Sequence, residues 1–354
     1  MKKIVLTGGG SAGHTIPNIA LIPELKKNYQ LFYIGSDGIE RELLKNQEVP
    51  FYTISCTKLI RGNIFKNLFL PFRYIKSVYQ AKQALKQIQP DLVFSKGGYV
   101  ALPVVKAAKK LKIPIITHES DLSCGLANKF IAKDSKLILT SFLETVDNFK
   151  NGLYVGPPLR YQLFGGSRIE GLQQFHFSGN KAVLLIFAGG SGSKKINEAV
   201  ANCLPALLKE FDILHICGKD CPPSQDGYTA LAFIKDMHLA YACADYVLSR
   251  AGSNSIFECL ALQKPTLFIP LANKRTRGDQ VENANYFYEK RLCHILAEEK
   301  LDAGSLLQAL MQLKQDNRLK ENLKENKVIA GNSKIIESIA KILNENEYDI
   351  TRTH

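Results

Sequence analysis

Residues 249–284 read SRAGSNSIFECLALQKPTLFIPLANKRTRGDQVENA. The short apolar run that leads into them, Asp245–Leu248, has the length and bounds of a buried strand. A tight Ala251-Gly252 turn follows, after which Ser253 or Asn254 can cap a helix running through Leu262. Such a helix start presents unpaired backbone N–H groups and a positive dipole end, which suits a diphosphate. Glu258 comes about one and a half turns later, where a carboxylate could accept both hydroxyls of a ribose. Pro265–Leu271 reads as a second strand, and the polar loop after it ends in Asp279-Gln280, side chains able to hydrogen-bond a sugar. An ordinary βαβ unit with a capped helix would read the same way.

Working outward, 354 residues exceed one ordinary core, so two domains are expected. The boundaries read as 1–156, 157–335, and a closing segment 336–354 whose helix packs back toward the first domain before a frayed tail. Composition is globular, with 45% hydrophobic and 22% charged residues. The eight cysteines lack the paired CxxC spacing of a zinc site and fit buried thiols in a reducing cytosol. MKKIVLTGGG is too short an apolar run for a signal peptide, and no stretch reaches the ~20 apolar residues that span a bilayer. A formal charge of +13 calls for an acidic partner: nucleic acid, an anionic membrane or a phosphorylated substrate.

In the first half, strand Ile4–Leu6 leads into TGGGSAGHTIP and a helix through Leu25. Gly8, Gly10 and Gly13 fit G-x-G-x-x-G at a strand-to-helix turn, and Asp37 stands near the place of a ribose-binding acid. His14 and Pro17 suit a dinucleotide turn poorly. The loop is free of side chains, so a bulky substrate can approach its backbone, and His14 stands at the helix start beside that approach. Further on, Gly97, Gly98, Tyr99, His118, Glu119 and Asn128 fall at the carboxyl ends of strands, where an open parallel sheet binds ligands.

Between Glu48 and Asp91 there is no carboxylate, while Lys58, Arg61, Lys66, Arg73, Lys76, Lys82 and Lys86 all occur. Ile64, Phe65, Leu68, Phe69, Phe72, Ile75 and Tyr79 recur there at near-helical spacing, interrupted by Pro71. An apolar stripe among uniformly basic residues suggests an element that lies on an anionic membrane, each basic residue contributing about 1 kcal/mol. A core helix with a basic solvated face is the alternative. Nucleic acid is not expected, since stacking platforms and a recognisable nucleic-acid module are missing.

The second half repeats the plan. GPPLR at Gly156 reads as a linker, strand Ala182–Phe187 follows, and AGGSGSKK leads into a helix. Two α/β halves facing a central cleft describe the GT-B architecture, two Rossmann-like doubly wound parallel-sheet domains. Taken together the motifs resemble the peptidoglycan N-acetylglucosaminyltransferases of that architecture. They are GGGSAGHTIPNIAL at Gly8, KGGYVALPVVKAAKKLKIPIITHESDLSCGLANK at Lys96 and GPPLR at Gly156. AGGSGSKKIN at Ala188, the run from Phe233 to Pro270, and RGDQVENA at Arg277 complete them, in family order over most of the chain.

The resemblance implies transfer of GlcNAc from UDP-GlcNAc to the C4 hydroxyl of the MurNAc in lipid I, the undecaprenyl-diphosphate-linked MurNAc-pentapeptide. The product would be lipid II, with inversion at the anomeric carbon. It further implies a donor site at Ser11, Ala12, Gly13, Asn128 and Arg160 in the first half. In the second it implies Ser191, Ile234 (uracil, by backbone), Ser253, Asn254, Ser255, Glu258 and Gln280. Tyr99, Phe65, Lys66, Phe69, Phe72, Arg73 and Lys76 become acceptor and membrane candidates. The expected partners are UDP-GlcNAc, lipid I, the anionic cytoplasmic leaflet on which the protein would sit peripherally, and other cell-wall synthesis proteins. Three departures stand out. Ser193-Lys194 replaces the commoner GA after GGSx, HES-D replaces HEQN so that no role of that glutamine transfers, and Gly218–Phe233 is short.

Inversion needs a general base near neutrality, and imidazole titrates at ~6.5. His14 is the first candidate and Glu119 the alternative. The helix at Ser253 could stabilise the departing diphosphate. With no DxD-like pair in a suitable loop, no metal or other cofactor is expected. Alternatives are a diacylglycerol glycosyltransferase, a UDP-GlcNAc 2-epimerase, an NAD-dependent oxidoreductase using Gly8–Gly13, or a non-catalytic UDP-sugar sensor.

Overall fold

Apolar runs without alternation are what a parallel sheet covered on both faces requires. The computed structural model describes residues 1–57, 70–190, 192–219, 221–272, 277–326 and 328–352, so Phe65, Lys66, Phe69 and Ser191 lie outside the described residues. In the first half the strands are β1 (Lys3–Thr7), β2 (Gln30–Gly35), β3 (Phe51–Thr53), β4 (Leu92–Ser95), β5 (Ile115–Glu119), β6 (Leu137–Thr140) and β7 (Gly152–Tyr154). They form one sheet in the order β3-β2-β1-β4-β5-β6-β7, parallel throughout.

Helices α1 (Ala12–Leu25), α2 (Ile39–Leu44), α3 (Leu70–Ile88), α4 (Gly98–Lys110) and α5 (Leu126–Ala132) lie between these strands. On one face Leu21, Ile22 and Leu25 of α1 pack on Ile4 and Leu6. On the other, Ala81 and Leu85 of α3 and Val104 and Val105 of α4 pack on Val5 and Val93. Strand order reverses between β1 and β4, and a crevice for ligands is expected outside the carboxyl ends at that point.

The second half has β8 (Ala182–Phe187), β9 (Phe211–Ile216), β10 (Tyr228–Leu231), β11 (Tyr246–Ser249), β12 (Thr266–Phe268) and β13 (His294–Ile295). Their order, β10-β9-β8-β11-β12-β13, is the same doubly wound pattern with its reversal between β8 and β11. Around them run α6 (Arg168–Gln174), α7 (Lys194–Glu210), α8 (Met237–Cys243), α9 (Ser253–Ala261), α10 (Asp279–Glu289), α11 (Ala303–Gln315) and α12 (Asn317–Glu325).

Two compact units result: Met1–Arg160 with Ala330–His354, and Tyr161–Ile329. The boundaries therefore differ from 156 and 335. Gly331 N–H donates to the Pro157 carbonyl at 2.7 Å. Asn332 accepts from Leu159 N–H and donates to the Leu159 carbonyl, both at 2.9 Å, which ties 157–160 and the start of the last helix into the first unit. That helix, α13 (Asn332–Arg352), puts Ile335, Ile339, Ile342 and Leu343 into the first unit's core beside Leu21 and Leu25. Its helical range runs through Tyr348 to Arg352. The expected strand Pro265–Leu271 shortens to β12, with Pro265 and Pro270 at its flanks, where a missing N–H breaks no ladder.

Candidate active site

Three glycines shape the first unit's crevice. Gly10, Gly97 and Gly98 all have φ near +80°, which only glycine adopts without strain. They also make room. A Cβ on Gly10 would lie 2.1 Å from the Tyr99 ring, one on Gly97 1.9 Å from Asn128 Oδ1, and one on Gly98 2.8 Å from the His14 ring. His14, Tyr99 and Asn128, candidates far apart in the sequence, are thus packed against one pair of loops. Ser11 and Gly13 are exposed and Ala12 half-buried at the start of α1, where no side chain caps the helix. Arg160 is half-buried at the end of the first segment of this unit. Asn128 is buried and its Oδ1 has no hydrogen-bond partner among the described residues.

His14 Nδ1 lies 3.0 Å from the Lys96 carbonyl. A carbonyl only accepts, so Nδ1 carries the hydrogen and the Nε2 lone pair is left to take a proton. Burial lowers the His14 pKa below 6.5. Asp121 opposes that shift, the Lys96 ammonium adds to it, and Glu119 opposes it.

Glu119 is differently placed. Its carboxylate is buried and accepts from Ser120 N–H (2.8 Å), Asp121 N–H (3.0 Å), Gly125 N–H (3.1 Å) and Asn128 Nδ2 (2.9 Å). Both oxygens are engaged in ordering the loop from Ser120 to Asn128. Accepting a substrate proton would disrupt that set, so the geometry makes Glu119 an organiser.

Asp37, expected near a ribose, is exposed and pairs with Arg41 at 3.0 Å. The buried acid here is Glu40, which accepts from Gly10 N–H (3.1 Å), Ser36 N–H (2.9 Å) and Ser36 Oγ (2.5 Å). A carboxylate already fills the glycine loop, so a cofactor diphosphate there would meet like charge. That removes the basis for the dinucleotide reading of Gly8–Gly13. Lys96, fully buried at the end of β4, was likewise not among the expected site residues. Its one cue is a lysine closing an apolar strand before Gly-Gly.

In the second unit α9 begins as expected, but its N-cap is Gly252, not Ser253 or Asn254, and no side chain caps it. A Cβ on Gly252 would meet nothing within 4 Å, so the approach to this helix end is open within the unit. Ser253 is buried, while Asn254 and Ser255 are half-buried. Glu258 is buried in the second turn and accepts from Tyr241 Oη at 3.2 Å. Gln280 stands in the first turn of α10, where its Oε1 accepts from Leu271 N–H at 2.9 Å. Ile234 is half-buried between β10 and α8.

Arg250 donates to Ser193 Oγ (2.8 Å) and the Ile269 carbonyl (3.1 Å) and pairs with buried Glu298. Ser193 also caps α7. The family departure at Ser193 therefore joins the glycine loop after β8 to the start of α9. Among the described residues no three His, Cys, Asp or Glu side chains gather as a metal site.

Two doubly wound units, each with a glycine loop and a helix start at its strand-order reversal, define the GT-B class of glycosyltransferases. Acinetobacter baumannii MurG superposes with a TM-score of 0.73 at 24% identity, over 96% of this chain and 100% of that one. A UDP complex of S. aureus MnaA gives 0.72 at 16% identity, covering 97% of each. At these identities the likeness is one of fold.

Sequence relatives go further. Residues 4–140 match the glycosyltransferase family 28 N-terminal domain and 183–343 its C-terminal domain. A Lachnospira eligens protein is 45% identical over 325 residues, 89% of this chain and 92% of its own. One from Lachnoclostridium phytofermentans is 46% identical over 319 residues, 88% and 90%. Both are named UDP-N-acetylglucosamine--N-acetylmuramyl-(pentapeptide) pyrophosphoryl-undecaprenol N-acetylglucosamine transferase. The chain belongs to glycosyltransferase family 28.

Proposed function

We propose that this chain is an inverting hexosyltransferase that moves GlcNAc from UDP-GlcNAc to the MurNAc C4 hydroxyl of lipid I, forming lipid II for peptidoglycan. The observation that carries this is identity of about 45% along nearly the whole length of transferases named for that reaction. In the step itself the C4 oxygen bonds to the anomeric carbon as its proton passes to His14 Nε2. The bond from that carbon to the diphosphate oxygen breaks, and UDP leaves with the electron pair. The uncapped N–H groups at the start of α9, with Arg160, offset the charge gained by the diphosphate. Glu258 takes the ribose, the Ile234 backbone the uracil, and Gln280 the sugar hydroxyls. Glu119 acts by holding Asn128 and its loop. No metal is assigned a part, so a chelator should leave turnover unchanged.

The acceptor is lipid-linked, and we place the first unit on the anionic cytoplasmic leaflet. Phe72, Ile75 and Tyr79 of α3 are 73%, 64% and 62% exposed, with exposed Arg73 and Lys76 beside them. A cavity of about 420 Å³, lined by Tyr74, Ile75, Val78 and Tyr79, has Lys82, Lys106 and Lys110 around it. Large apolar side chains left in water beside amines suit an interfacial element. No described helix is long and apolar enough to cross a membrane.

The test gives the purified chain labelled UDP-GlcNAc with a lipid I analogue, and separately with diacylglycerol. Label is expected on the first alone. Label on diacylglycerol only, or on neither, rejects the assignment.

A further inference from the structure

Lys96 touches both His14 and His118. Its carbonyl holds His14 Nδ1–H at 3.0 Å. Its Nζ lies 2.5 Å from His118 Nδ1 and 2.6 Å from Ser120 Oγ. An ammonium only donates, so His118 Nδ1 accepts and its hydrogen sits on Nε2, 3.3 Å from the Gly156 carbonyl. Gly156 is the first residue of GPPLR and has φ of +89°. Its carbonyl is closely covered, since a Cβ on Gly331 would fall 2.5 Å from it. One lysine side chain thus reaches, through an imidazole, the segment that ends in Arg160.

Packing alone does not ask for this residue. Lys96 is 1% exposed, and burying an ammonium costs several kcal/mol unless it is well paired. Among the described residues no carboxylate is hydrogen-bonded to its amine. Glu119 has both oxygens on other donors, and Asp121 acts on the amine through its charge. A methionine of similar length would fill the space without that cost.

We propose that Lys96 is a positioning residue of the transfer site: its buried ammonium locks His118 onto the Gly156 carbonyl and supplies the positive charge that keeps His14 unprotonated as a base. The inference rests on the assignment of His14 as that base. The charged and titratable groups around the pair are His118 and Glu119 on β5, Asp121 after it, Tyr99 on α4, and Glu40 behind Gly10. The two carboxylates pull a proton toward His14, and Lys96 opposes them. Burial draws the Lys96 pKa down to about 7, against Glu119 and Asp121. As pH falls below neutrality the lysine therefore takes its proton before His14 does, and its charge is present where His14 would otherwise be lost as a base.

The test is an NMR pH titration of the full chain with isotope-labelled histidines, unaltered and as Lys96→Met, alongside kcat/KM against pH. In Lys96→Met the His14 titration should move up by about one pH unit. The acid limb of kcat/KM should follow it, with most of the rate regained at high pH. An unmoved His14 titration, or a rate loss equal at every pH, overturns the inference. The titration needs no substrate: if it shifts while the acid limb does not, Lys96 keeps its hold on His14 and the assignment of His14 as base falls instead. In the unaltered chain, His118 nitrogen shifts should report Nε2–H and a bare Nδ1. The opposite tautomer overturns the inference even if the variant fails to fold.

Discussion

From residue order alone, His14 and Glu119 are both candidate bases, since one opens the helix after β1 and the other closes β5, at the carboxyl ends of the same sheet. The backbone separates them. His14 has one nitrogen committed and one spare, whereas Glu119 faces four donors. His14→Ala should therefore lower kcat by roughly 10²–10⁴, with the melting temperature and UDP binding nearly unchanged. Glu119→Gln turns an amide NH₂ toward N–H groups that had a carboxylate oxygen, and should cost about 1–3 kcal/mol of first-unit stability. Thermal melts and turnover of the two variants decide the matter. A Glu119→Gln chain that melts normally but is dead would transfer the base role to Glu119. At this scale the motif residues are legible because glycine loops and strand ends announce them. Glu40 and Lys96 are not, because what makes a buried charge tolerable comes from elsewhere in the chain. Glu40 meets its Gly10 partner across 30 residues, and Lys96 meets His118 across 22.

Elements were easier to read than their ends. The run before Ser249 and the helix after it appear as β11 and α9, yet the cap passes to Gly252. Any of several small polar residues can cap a helix, and only the chain's entry angle decides which does. Helix α3 shows the opposite case. The apolar stripe ending in Phe72, Ile75 and Tyr79 has a core helix as its alternative reading, but the buried face is instead Ser77, Ala81, Ala84, Leu85 and Ile88. Small residues at 77, 81 and 84 let α3 pack closely, and Phe72, Ile75 and Tyr79 are left outside. Replacing Phe72 by Ser and Arg73 and Lys76 by Glu touches only exposed positions. It should weaken binding to anionic vesicles by more than tenfold, since each basic residue near such a surface contributes about 1 kcal/mol. Vesicle sedimentation would reveal it, and unchanged binding would remove the membrane from the proposal.

For the whole molecule, the repeat of strand, glycine loop and helix made two doubly wound units legible, and both sheets share one order over six strands, the first adding β7 at its edge. Their boundaries were less so, because a linker's composition does not say which unit it packs on. The hydrogen bonds of Gly331 and Asn332 to Pro157 and Leu159 settle that, and they connect residues far apart in sequence.

The helix α13 carries a further consequence, for how the protein is made. The first unit takes its whole sheet from Met1–Arg160, but its core includes Ile335, Ile339, Ile342 and Leu343, which are translated only after all of the second unit. Burying each such side chain contributes roughly 1.5–3 kcal/mol, so together they rival the ~5–15 kcal/mol that stabilises an ordinary domain. A nascent chain halted at Ile329 should thus hold a protease-resistant second unit, Tyr161–Ile329, while Met1–Arg160 is still readily cut. Extension through Leu343 should protect both. Equal resistance of both parts in the halted chain would show that the first unit matures without its last helix. On that expectation the usual order, in which what is translated first folds first, is inverted.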